Sequence, residues 1–111
     1  MTNIIFNGPQ NAPFSVALAH GAGAPMDTQF MAFFAEGLAE RGFRVARFEF
    51  PYMVERRTSG KKRPPNTVKL LLETWHQVIA ELGPEKLVIS GKSMGGRIAS
   101  MVADEARVKG L

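Results

Sequence analysis

Cysteine is absent from the sequence, which excludes a disulfide framework and any thiolate metal site. Histidine is scarce: His20 and His76 are the two present, too few to assemble a zinc or iron cluster. No stretch approaches the ~18 apolar residues needed to span a bilayer. The N-terminus, MTNIIFNGPQ, has no charged n-region and at most three apolar residues in a row, so it does not read as a signal peptide. These absences leave no metal, cofactor or membrane partner to expect, and they predict a cytoplasmic protein.

What remains has the balance of a folded domain. At 111 residues, 45% hydrophobic and 22% charged, the chain fits one domain near the lower edge of the usual size range. A net charge of +4 invites a nucleic-acid reading, but its distribution argues against one. The segment ERRTSGKKRPPN, residues 55–66, holds five cations and one anion, and the other nine cations and nine anions cancel. The basic excess belongs to one loop rather than to a binding face, so nucleic acid is not the expected partner.

Periodicity gives the order of elements. After an extended start, NIIF, and a turn at Asn7-Gly8-Pro9, the run FSVALA (14–19) predicts a strand. Asp27 stands where a helix N-cap belongs, and Phe30, Phe33, Phe34 and Leu38 fall on one helical face that Gly42 terminates. FRVARFEF (43–50) predicts a second strand, closed by Pro51. Val68, Leu71, Leu72, Trp75, Ile79 and Leu82 line a second helix, ended by Gly83-Pro84. KLVIS (86–90) has the near-continuous apolar character of a strand buried on both faces. Ile98, Met101, Val102 and Ala106 mark a third helix. The predicted fold class is therefore α/β, a parallel sheet between layers of helices in the order β-α-β-α-β-α. The final ARVKGL reads as a helix end followed by the approach to a further strand, so the domain is expected to continue beyond residue 111.

Between the last strand and the last helix lies GKSMGG, residues 91–96, which contains G-x-S-x-G from Gly91 through Ser93 to Gly95. The bare pattern is weak, since about one chain in twenty or thirty of this length carries it by chance at background frequencies. Its context is stronger. A nucleophile elbow needs a strand before the serine, a helix after it, and small neighbours, which Gly91, Gly95 and Gly96 supply. Ser93 would then sit at a helix N-terminus, which favours developing negative charge. The same letters also suit a glycine-rich turn of a nucleotide-binding fold with Ser93 as a plain N-cap. Two specific phosphate patterns fail: a P-loop needs glycine where Lys86 stands, and the dinucleotide pattern begun by Gly21 and Gly23 meets Met26.

HGAGA, opened by His20 and Gly21, fits the second half of an oxyanion hole. One backbone N–H would come from the residue after the serine, Met94, and the other from Ala22, with Gly23 as the second choice. A tight turn leading into the first helix would use the same glycines.

HGAGAPMD, RFEFPYM, RRTSGKKRPP and GKSMGGRIASMVAD together resemble the small α/β-hydrolases of the dienelactone-hydrolase-like type. The resemblance is to the bacterial group related to an animal testis-expressed protein and to a subunit of the NSL histone-acetyltransferase complex, and it runs from Phe14 to Leu111. It implies a family about twice this length, with Ser93 in the nucleophile position, Ala22 and Met94 in the oxyanion positions, and a small-molecule acyl substrate.

In that fold the triad acid and histidine follow the serine along the chain. Here both histidines precede it. His20 is expected to order the oxyanion loop, and His76 to lie on the surface of the second helix. Asp104 and Glu105 are the acids after Ser93, and at ~1.5 Å per helical residue Asp104 would lie roughly 15 Å from the elbow. The acid and base are therefore expected from a C-terminal half or a partner chain, which would also complete the sheet beside KLVIS. The alternative is a hydrolase-like interaction module without chemistry. Arg56, Arg57, Lys61, Lys62 and Arg63 would form a cationic rim favouring anionic substrates, or merely a solvated loop. Lys92 either touches substrate or points to solvent.

Overall fold

The computed structural model describes residues 4–111, apart from the side chains of Asp104 and Glu105. The expected start of the extended segment at Asn3, and the expected remoteness of the Asp104 carboxyl from the serine, lie outside the described residues. The elements follow one another as β1 (Ile4–Asn7), β2 (Ser15–Ala19), α1 (Gln29–Glu40), β3 (Arg44–Phe48), α2 (Pro51–Ser59), α3 (Val68–Leu82), β4 (Leu87–Gly91) and α4 (Met94–Ala106). Among the described residues no helix is long and apolar enough to cross a membrane.

The strands form one sheet in the order β1-β3-β2-β4. β2 runs parallel to both β3 and β4, as the crossover lengths require, with Ala19 opposite Phe48 on one side and Gly91 on the other. β1 departs from the parallel reading: it is antiparallel to β3, with Ile4 opposite Phe48. A seven-residue link between β1 and β2 is too short to cross over a sheet, so an antiparallel place two strands away is the accessible one.

Side-chain alternation along β2 divides the core. Leu18 faces α1 with Met31, Ala35 and Val45, while Ala17 and Ala19 face a larger cluster built on Phe48, Trp75, Ile89 and Ile98. Helix α1 thus lies on one face and α3 and α4 on the other, giving the three layers expected of the class.

Several sequence expectations change. Thr28, not Asp27, caps α1, its hydroxyl accepting from the Met31 N–H at 3.2 Å. The buried face of α1 is Met31 and Ala35, whereas Phe30, Phe33 and Phe34 remain 46%, 75% and 48% exposed and stack on one another. Val68 and Met101 are likewise exposed, Val68 because it is the first residue of α3 and Met101 because it lies beside the stripe formed by Ile98 and Val102. The basic segment is not wholly a loop. Pro51 occupies the first turn of α2, where its missing N–H costs nothing, and the helix runs to Ser59 before Gly60 closes it at φ 73°.

Beyond α4, Arg107 turns the chain at φ +57°. Lys109 N–H then donates to Leu87 O at 2.6 Å and Ile89 N–H to Gly110 O at 2.9 Å, a parallel bridge along the free side of β4.

Candidate active site

The register of the three parallel strands brings their C-terminal ends to one edge, the edge where open α/β sheets bind ligands. Residues leaving β2, β3 and β4 there are His20, Glu49 with Phe50, and Lys92 with Ser93.

Ser93 sits on a sharp turn. Lys92 N–H donates to Ala19 O at 3.0 Å, Gly95 N–H to Lys92 O at 3.1 Å, and Arg97 N–H to Ser93 O at 2.9 Å. The chain makes this turn with Ser93 at φ +52°, a region that side-chain-bearing residues rarely adopt. The surrounding glycines are required by contact. A Cβ on Gly91 would lie 2.5 Å from Gly96 N, and one on Gly95 would lie 2.8 Å from Ala19 Cβ and meet His20 O. Trp75, fully buried in α3, holds the same turn by donating from Nε1 to Gly95 O at 3.3 Å. The Ser93 side chain is left exposed.

Facing it is the loop 20–27, whose carbonyls are tied to the protein behind it. Tyr52 Oη–H donates to Ala22 O at 2.9 Å, Arg56 to Gly23 O at 2.9 Å, and Arg47 to Met26 O at 3.2 Å. Ala22 and Gly23 line the smaller of two clefts at Ser93, and Ala22 the larger one as well. Glu49, 2% exposed, receives Met26 N–H at 3.1 Å and both Arg57 Nε and Nη2 at 2.7 Å, and Arg57 Nη2 also reaches Asp27 at 2.7 Å. Bonds to Glu49 and then Asp27 raise the basicity of Arg57, and the bond from Arg57 holds the Asp27 carboxyl below its ordinary range. Burial pushes the Tyr52 phenol up to about 12, so it stays a donor.

His20 is fully buried. Phe50 N–H donates to its Nε2 at 3.1 Å, which leaves the proton on Nδ1 to donate to Gly21 O at 2.6 Å. Burial is the main cause holding its pKa below the ordinary histidine value. Both nitrogens are engaged, so His20 orders the loop as expected and has no lone pair to offer Ser93. His76 is exposed on α3 and lines neither cleft at Ser93.

Two clefts meet at Ser93 and Ala22. One, of about 300 Å³, runs along Gly23, Pro25, Thr28, Met31 and Lys92. The other, of about 400 Å³, is lined by Pro65, Asn66, Val68, Leu71, Met94, Arg97 and Ile98. Met94 opens α4, so its N–H is among those that a helix leaves without an internal acceptor. Among the described residues no three His, Asp or Glu side chains converge as metal ligands would.

The expected rim divides. Arg56 and Arg57 are spent on Gly23 O and on Glu49 and Asp27, because α2 turns them back toward the loop. Lys61, Lys62 and Arg63 remain exposed, Arg63 3.9 Å from Glu55. Lys92 is exposed and lines the smaller cleft, with its Nζ over the Phe30 ring, 4.6 Å from the centroid.

A profile of the alpha/beta hydrolase domain matches residues 12–111. The chain belongs to the alpha/beta hydrolase family. No curated protein matches the sequence at a significant level. Among solved structures, one from work on carboxylesterases of the ammonia-oxidizing thaumarchaeon Nitrososphaera gargenis superposes at TM-score 0.74 with 24% identity, over 98% of this chain and 38% of its own. Est1E from Butyrivibrio proteoclasticus, with ferulic acid bound, gives 0.75 and 19%, over 97% and 46%. A thioesterase domain from the curacin biosynthetic pathway gives 0.68 and 22%, over 96% and 38%. At these identities the likeness is one of fold. This alpha/beta hydrolase chain spans less than half the length of each of the three.

Sequence reasoning missed Tyr52, Glu49, Asn66 and Arg97. Glu49 left a signal: an acid between Phe48 and Phe50 at a strand end is buried with its neighbours and needs a cation. Asn66, which accepts Tyr52 N–H at 2.9 Å and lines the larger cleft, left none.

Proposed function

We propose that this chain is the nucleophile-bearing part of a serine hydrolase of the dienelactone-hydrolase-like branch, acting on an ester, thioester or related acyl bond. The observation that carries the reading is Ser93 at φ +52°, exposed at the junction of two clefts on the strand-to-helix turn. Such strain is the mark of a nucleophile elbow. Ser93 Oγ attacks the acyl carbonyl, forming the C–O bond as a base takes its proton. The oxyanion accepts hydrogen bonds from Met94 N–H and Ala22 N–H, with Gly23 the next donor along the loop. The proton then passes to the departing alcohol or thiol, and water repeats the sequence to release the acid. His20 is engaged on both nitrogens, so the base and its orienting acid come from outside this chain.

The test is turnover of 4-nitrophenyl esters by the full-length protein and its Ser93→Ala variant. Loss of about 10⁴-fold or more in kcat, with fluorophosphonate labelling confined to the wild type, is the expected result. Unchanged turnover sinks the proposal. The engagement of both His20 nitrogens also favours a second reading, a hydrolase-like interaction module, which requires that the full-length wild type resist the probe.

A further inference from the structure

Neither cleft at Ser93 is lined by an aspartate or glutamate, and each contains one cation. The two cations are not equivalent. Lys92 in the smaller cleft is occupied by the Phe30 ring. Arg97 in the larger cleft is exposed on α4, and among the described residues no carboxylate forms an ion pair with it. Glu49 and Asp27 are committed to Arg57, and Glu55 to Arg63. Around Arg97 the wall is apolar, from Val68, Leu71, Met94 and Ile98.

Position fixes what this guanidinium can reach. Arg97 N–H is bonded to Ser93 O at 2.9 Å, and both residues line the larger cleft. A guanidinium there, unpaired above an apolar floor, has the geometry to take a carboxylate bidentately.

We propose that the larger cleft is a subsite for the anionic end of the substrate, in which Arg97 pairs with a carboxylate held a short carbon chain away from the scissile carbonyl. The inference rests on Ser93 as nucleophile and names the substrate class of that site: esters or thioesters that carry a carboxylate on a short alkyl chain. Val68, Leu71 and Ile98 cover the methylenes, and Arg97 determines specificity rather than the reaction itself.

The experiment compares kcat/KM of the full-length enzyme for the 4-nitrophenyl monoester of adipic acid with that for 4-nitrophenyl hexanoate. The two differ by a carboxylate in place of a terminal methyl. The wild type is expected to prefer the adipate ester, and Arg97→Gln to lower the adipate-to-hexanoate ratio roughly tenfold, as loss of one charge-assisted pair in a partly desolvated site does. Arg97→Lys should restore part of the ratio, and raising salt should shrink it in the wild type and in Arg97→Lys but not in Arg97→Gln. A ratio that Arg97→Gln leaves unchanged, with both esters still hydrolysed through Ser93, overturns the subsite while leaving the hydrolase reading intact. Absence of turnover on both esters, with Ser93 unlabelled by a fluorophosphonate, overturns the hydrolase reading and this inference with it.

Discussion

Ser93 offers a way to read the strain of the turn directly. Its φ of +52° places a side chain where the Cβ crowds the following carbonyl, at a cost of about 1–2 kcal/mol. Glycine relieves that cost but loses about 0.5–1 kcal/mol through the freedom it regains on unfolding. Replacing Ser93 by alanine and by glycine separates the two parts, because both variants lack the hydroxyl and differ only in the Cβ. Ser93→Gly should therefore be more stable than Ser93→Ala by about 0.5–1 kcal/mol in urea unfolding, with equal m-values, and both should lack turnover. Arg107 calibrates the effect, since it holds φ +57° after α4, away from both clefts. Arg107→Gly should gain a similar amount and leave turnover alone. A glycine variant at position 93 that is less stable than the alanine variant would refute the argument that the fold holds Ser93 under strain.

The glycines of the turn and the buried histidine give two more checks. Gly95→Ala should cost more than about 3 kcal/mol, or abolish the soluble protein, because its Cβ meets Ala19 and the His20 carbonyl, neither of which can yield; Gly23→Ala, with nothing within 4 Å, should change stability by less than about 0.5 kcal/mol. Denaturant unfolding of the two variants decides this. For His20, burial lowers the folded pKa below the ordinary value of about 6.5, so the unfolded chain takes up the proton first as pH falls. Stability tied to this residue is therefore present above about pH 6.5 and declines below it, by at most about 1.4 kcal/mol per pH unit. Glu49, which favours the charged ring, and Arg57, which opposes it, are the charges bearing on it. His20→Gln should flatten the decline between pH 7.5 and 5.5; parallel curves would show that His20 is not held neutral.

Much of the site was legible because its requirements are local. G-x-S-x-G is a statement about five consecutive residues, and the glycines that pack against Ala19 and against each other had to be glycines whatever surrounded them. The parallel strands were equally plain, since β2 and β4 are apolar runs set between glycine-rich turns and helical stripes. The first helix was misread for a physical reason. Phe30, Phe33 and Phe34 make the more hydrophobic face, yet the sheet beneath α1 presents Leu18 and Val45 at close range, and Met31 with Ala35 fills that space without displacing the helix. Periodicity counts apolar residues; it does not measure the room available. The same limit hid α2, whose charged letters look like a solvated loop until Glu49 and Asp27 are seen to face it across thirty and fewer residues of chain.

That helix explains why three of the four quoted motifs, HGAGAPMD, RFEFPYM and RRTSGKKRPP, belong together. RFEF ends a strand with a carboxylate that would be costly to bury alone, and PYM starts a helix whose second turn returns Arg57 to neutralise it at 2.7 Å. The same helix sends Tyr52 of its first turn and Arg56 of its second to the carbonyls of Ala22 and Gly23. HGAGAPMD is thereby fixed from behind by three residues of α2 and from its end by Glu49, while His20 pins its beginning to Phe50. Oxyanion stabilisation depends on donors that do not reorganise during reaction. A glycine-rich loop is a poor source of such rigidity by itself, because its own backbone is the least constrained in the chain. Here the constraint comes from α2, and in the proposed reaction the loop could keep the small residues that would let a substrate approach its backbone.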